Sequence, residues 1–170
     1  DTYAFFGCTS LATLEIKNGV TTIGNYAFQN NTSLSTITLA AVTSIGTGAF
    51  QGASTLSTID FGTALTTINP NAFMNCTSLA EVAIPTTVTN MGASSFGGCT
   101  ALEKLTLAFL GNTPTDSNTL GYIFGNTAVS GLTYGVTQTT SYQLPLSLKT
   151  VIVLGGNIPN YAFKGANSLT

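Results

Sequence analysis

The stretch Leu34-Ser35-Thr36-Ile37-Thr38-Leu39-Ala40-Ala41-Val42-Thr43-Ser44-Ile45-Gly46-Thr47-Gly48-Ala49-Phe50 decides the fold. It opens with a Leu-x-x-Φ-x-Φ segment whose last positions alternate, the period of a half-buried strand. A shorter apolar pair, Val42/Ile45, follows, then a glycine and an Ala-Phe turn. Leu56 starts the cycle again. The turn recurs as Ala4-Phe5, Ala27-Phe28, Ala72-Phe73 and, altered, Ser95-Phe96, with phenylalanines 23, 22, 23 and 23 residues apart. Ala162-Phe163 repeats it near the end. A period in the twenties marks a solenoid, in which one rung cannot bury its own apolar face.

Anchored on the phenylalanines, the other apolar residues form columns. Leucine stands six residues on, at Leu11, Leu34, Leu56, Leu79, Leu102 and Leu169. Strand copies continue as Leu14/Ile16, Ile59/Phe61, Val82/Ile84, Leu105/Leu107 and, after Leu148, Val151/Val153. The shorter pair recurs as Val20/Ile23, Leu65/Ile68 and Val88/Met91, with Ile158 as a partial sixth member. Gly24, Gly46, Asn69 and Gly92 come next, which predicts a tight corner at positive φ. Pro159, in the same column, cannot turn that way. Successive long strands are expected to pair in parallel, about 4.8 Å apart.

The pattern breaks between Leu107 and Leu148. Leu120-Gly121-Tyr122-Ile123-Phe124 reads as an altered turn with Phe124 in the phenylalanine column. Residues 111–118 and 126–143 then read as insertions, which in solenoids gather as loops on one face. A full rung using Val129, Leu132 and Val136 is the alternative. The organisation is regular repeats over 1–109, an irregular or extended repeat over 110–143, and returning repeats over 144–170, in one continuous solenoid. Both ends fall in mid-rung, so the chain is expected to be an excerpt of a longer array.

Charged residues are only 6 % of the 170, against 44 % apolar, and net charge is −2 with four lysines and no arginine. Disorder needs the opposite balance, and nucleic-acid binding needs clustered basic side chains. No apolar run reaches the roughly 18 residues of a membrane span. With no histidine there is no imidazole base for a Ser-His or Cys-His dyad. Asp60 and Glu81 on neighbouring strands could approach a glycosidase spacing, but a flat strand face encloses no pocket to tune them. We therefore expect no enzyme, no cofactor and no metal site, since neither His nor a Cys-x-x-Cys pair is present.

The pattern Leu-x-x-Φ-x-Φ, Val-x-x-Ile-Gly, Ala-Phe-x-x-Cys-x-x-Leu resembles the BspA-like (treponemal-type) leucine-rich repeat family over 1–109 and again over 144–170. Departures are Asn31, Ala53 and Ala166 at the Cys position and Ser95 at the Ala position. The resemblance implies a mainly β, right-handed leucine-rich-repeat solenoid with parallel strands and rungs of about 23 residues. It also implies a noncatalytic, adhesin-like module, extracellular or on a cell surface, that binds a protein or glycan ligand on another cell or matrix.

Outward strand positions are the candidate partner-binding residues: Glu15, Lys17, Thr36, Thr38, Asp60, Glu81, Lys104 and Thr106. Five of the ten charged residues fall there. The plainer account is solvation of a sheet otherwise buried on both faces, with Glu81 and Lys104 as cross-strand neighbours. An ice-binding reading of the Thr columns is weak, because Glu15 and Asp60 interrupt them. Cys8, Cys76 and Cys99 share a column with Asn and Ala, which calls for a small inward residue; a disulfide is conceivable only for Cys76–Cys99. Of three glycosylation sequons, Asn30 and Asn75 are the expected exposed acceptors. Start and end lie in nearly the same rung phase, so end-to-end stacking into a filament is the alternative function.

Overall fold

The computed structural model describes residues 1–115, 120–125, 132–136, 141–158, 162–163, 166 and 168–170. Val129 and Pro159, which enter the sequence reading, lie outside them. In chain order the strands are β1 (Thr22–Ile23), β2 (Thr36–Thr38), β3 (Ser44–Ile45), β4 (Thr58–Asp60), β5 (Thr67–Ile68), β6 (Glu81–Ala83), β7 (Asn90–Met91) and β8 (Lys104–Leu107). A 3-10 turn at Leu120–Ile123 precedes β9 (Leu132–Val136), β10 (Ser141–Pro145) and β11 (Thr150–Val153). The chain is a parallel β-solenoid. The short strands form one four-stranded sheet, β1-β3-β5-β7, with Ile23, Ile45, Ile68 and Met91 in register.

The long strands pair in parallel as β2-β4 and as β6-β8-β11. The expected unbroken ladder is thus interrupted twice. Residues 14–16 of the first rung form no strand, and β4 touches β6 without strand pairing. At the second break Phe61 puts an aromatic ring into an otherwise aliphatic column. The ring turns edge-on to Phe73, with centroids 5.6 Å apart. Gly62 N–H donates to Asp60 Oδ1 at 2.9 Å, and β4 ends at Asp60, the rung position at which β2 ends at Thr38 and β6 at Ala83.

Between the two strand layers the predicted columns become one core. Leu34, Leu56, Leu79, Leu102 and Leu148 are buried, as are Phe28, Phe50, Phe73, Phe96 and Phe124. Phe5, Phe28, Phe50, Phe73 and Phe96 stack face to face at 5.1–5.3 Å, their planes within 10°. Each such pair contributes about 0.5–1.5 kcal/mol beyond its buried area. The backbone repeats the arrangement: Phe5, Phe28 and Phe50 each donate to the next rung's alanine carbonyl at 2.7 Å.

The glycine corner is where the structure corrects the sequence reading. Gly24, Gly46 and Gly92 are not at positive φ. They are small because the neighbouring rung's backbone passes over them; a Cβ on Gly46 would stand 2.6 Å from Asn25 N. Asn69 fits there by donating its side-chain amide to the Ile45 carbonyl at 2.8 Å. Left-handed residues stand instead two before each phenylalanine (Tyr3, Tyr26, Gly48, Asn71, Ser94) and two after it (Gly7, Asn30, Gly52, Asn75, Gly98). In the second set the Asn30 side chain fills the space a Cβ on Gly52 would need, and Asn75 does the same over Gly98.

The irregular region also departs from the alternatives. Phe96 donates to the Ile123 carbonyl at 2.8 Å, which puts Phe124 in the phenylalanine column as expected. Met91 donates to the Asn112 carbonyl, and Phe109, Leu110 and Gly111 are buried. The stretch from Gly111 therefore begins inside the rung and is not wholly an insertion. Leu132 and Val136 lie on β9, which pairs antiparallel with β10 as a hairpin; the alternative of a full rung there is overturned. β11 lies directly beside β8 with Thr150 opposite Lys104. Leu102 and Leu148 are thus neighbours, and one enlarged rung connects them. Val20 and Ile158, expected inward, are exposed. Val20 follows a turn and Ile158 a bend, and both lie outside any strand.

Candidate partner-binding face

The long strands hold the candidate residues by alternation: Ile37 and Val82 point inward, so Thr36, Thr38, Glu81 and Ala83 point out. Register then sets the neighbours. Thr36 faces Thr58 and Thr38 faces Asp60 on β2-β4. Glu81, Lys104 and Thr150 form one row of the second block, and Ala83, Thr106 and Ile152 the next. The face is therefore two blocks of candidates. The carboxylates of Asp60 and Glu81 lie on either side of the break between β4 and β6.

Four of the five charges on this face pair with one another, and the fifth, Asp60, accepts from Gly62 N. Lys104 Nζ donates to Glu81 Oε1 at 2.5 Å, the cross-strand pair the register predicts. Lys17 pairs with Glu15, two residues back on the same side of the first rung. That pair was legible from the period-two alternation. Both are largely solvent-exposed, and such pairs stabilise by about 0–1 kcal/mol. Beside the Lys17–Glu15 pair, where residues 14–16 run unpaired next to β2, lies an open groove of about 530 Å³ lined by Leu14, Glu15, Lys17, Asn18, Thr38 and Ala40. At the other end Leu146, Ile152 and Leu154 are exposed, an apolar contribution the candidate set omits.

The cysteine column is core. Cys76 and Cys99 are buried and free, and their thiols donate to the carbonyls of Phe50 and Phe73 at 3.3 and 3.2 Å. Burial pushes both thiols up, Cys99 to about 12. Cys8, in the first rung, is free and exposed. Asn31 is buried in the same column and its Oδ1 accepts from Cys8 N. Its sequon is closed by that burial, whereas Asn30 is exposed and Asn75 half-buried. Among the described residues no three His, Cys, Asp or Glu converge on a metal site. No helix there is long and apolar enough to cross a membrane.

A model of the BspA-type leucine-rich repeat region matches residues 1–118 in six copies. The chain belongs to that family. Three solved structures superpose on most of it. A leucine-rich repeat protein of T. pallidum is 22 % identical over 89 % of this chain and 50 % of its own, with a TM-score of 0.51. A leucine-rich cell surface protein of Faecalibacterium prausnitzii is 24 % identical over 86 % and 33 %, at 0.64. The pneumococcal vaccine antigen PcpA is 23 % identical over 82 % and 36 %, at 0.60. At these identities the likeness establishes the leucine-rich-repeat fold alone. The chain spans half or less of each of these proteins. No curated relative matches the sequence.

Proposed function

We propose that this chain is a noncatalytic binding section of a secreted or cell-surface repeat protein, docking a protein or glycan partner on its long-strand face. The observation that carries this is the registered array itself. Six side chains, Thr36, Thr38, Asp60, Glu81, Lys104 and Thr106, project outward in register from two blocks of paired strands over a buried core, and Glu15 and Lys17 stand beside them on the unpaired first rung. Such a surface is ordered before binding, so association loses little conformational entropy there. Surface location is supported by the structural relatives described as a cell surface protein and as a vaccine antigen.

The test is Glu81→Ala combined with Lys104→Ala, measured by surface plasmon resonance against soluble matrix proteins and host glycans that bind the parent chain. Weaker binding with an unchanged melting curve is expected. Unchanged affinity would remove this face from consideration.

A further inference from the structure

We propose a second binding site on the short-strand face: a groove for a linear, neutral polysaccharide, independent of the long-strand face. The groove has a volume of about 470 Å³ and is open along its length. Its lining comes from four successive rungs: Asp1 and Thr2 at one end, then Thr22 and Asn25, then Ser44, then Asn69, with Gly24 and Gly46 contributing main chain packed against the preceding rung.

Its hydrogen-bonding groups are held in place and complementary. Asn25 Oδ1 accepts from Thr47 N at 2.9 Å, which fixes the side chain and leaves its NH2 to donate outward. Asn69 does the reverse: its Nδ2 donates to the Ile45 carbonyl, leaving Oδ1 to accept. A sugar hydroxyl both donates and accepts, so one hexose can engage either side chain. Thr22 and Ser44 add hydroxyls from β1 and β3, in register with each other.

The charge pattern selects a neutral ligand. Apart from Asp1 at one end, the groove carries no charge: no charged residue occurs from Asn18 to Ile59, and this face contrasts with the ion pairs on the opposite layer. Two rung steps span roughly 9.6 Å, room for two hexose units along the stack axis. The same neutral face repeats on the third and fourth rungs through Thr66, Thr67, Thr89 and Asn90, so a longer chain meets similar hydroxyls along its course.

The test is affinity electrophoresis of the intact chain in native gels containing hydroxyethyl cellulose, glucomannan or a mixed-linkage β-glucan. Retardation by at least one is expected. Asn25→Asp keeps the acceptor for Thr47 N but removes the outward donors, and Thr22→Arg with Ser44→Arg fills the groove. Each should weaken binding at least tenfold while leaving the circular dichroism spectrum unchanged, and Thr38→Arg on the long-strand face should not. No retardation in all three gels overturns the proposal. So does retardation that survives Thr22→Arg/Ser44→Arg, or that Thr38→Arg abolishes. Ice shaping without retardation would assign this face to ice and overturn it equally.

Discussion

The thiol of Cys99 donates to the carbonyl of Phe73 one rung back, at 3.2 Å, inside the core. Burial holds that thiol neutral up to about pH 12, and raises Cys76 as well. In the unfolded chain both ionise near an ordinary thiol value of about 9. Above that pH the unfolded state binds fewer protons than the folded one. The thiols' contribution to stability is therefore complete below about pH 9 and is lost as pH rises toward 12. At pH 8 a thiol reagent should modify Cys8 rapidly and the other two only on unfolding. Three equally fast thiols in the folded chain would contradict the buried column.

Gly98 sits at φ +72 with the Asn75 side chain where its Cβ would be. Gly98→Ala should cost about 2–4 kcal/mol, the left-handed backbone and the overlap together. Asn75→Gly in the same chain should recover the overlap but not the backbone part. Urea unfolding of the two single variants and the double variant measures this as a coupling energy.

Phe50→Ala removes a ring stacked on both sides and should cost about 3–5 kcal/mol. Phe5 is stacked on Phe28 but remains 44 % exposed, so Phe5→Ala should cost less than half of that. Equal losses would show that the column does not act through burial.

The hairpin should be removable. Phe124 and Leu148 are 24 residues apart, where other rungs use six. Deleting 126–143 removes 18, restores a spacing of six and puts Pro145 in the small-residue column. Leu144 would then occupy the left-handed position two after the phenylalanine, so Leu144→Gly belongs in the same variant. The expected product is a folded chain that keeps the β8–β11 pairing, visible as slow amide exchange at Thr150 and Leu154, which donate to the Glu103 and Leu107 carbonyls.

The regular part of the fold was legible because burial and hydrogen bonding demand the same residue types in every rung. Leu56, Ile45 and Phe73 could stand nowhere else once the period was read. The corner was misread because Gly24 and Gly46 are compatible with two causes, positive φ and close approach. Only the neighbouring rung's position, which no local pattern carries, separates them. Tyr26 and Ser94 at positive φ were invisible for a related reason: neither residue type favours that conformation, and the stacked backbone imposes it. On the candidate face, alternation gave the outward set correctly. It could not show that β4 and β6 touch without pairing, because pairing depends on where the neighbouring rung lies, which alternation does not carry.

The alternation of Gly7, Asn30, Gly52, Asn75 and Gly98 bears on how such a chain can have lengthened. Each asparagine lies over a glycine of the next rung. Copying a single asparagine rung would set asparagine upon asparagine, and the first side chain would have to turn out of the place it now holds. Copying a neighbouring pair keeps the fit. The unit that extends this array without disturbing it is a doublet of about 45 residues, twice the period of a single rung.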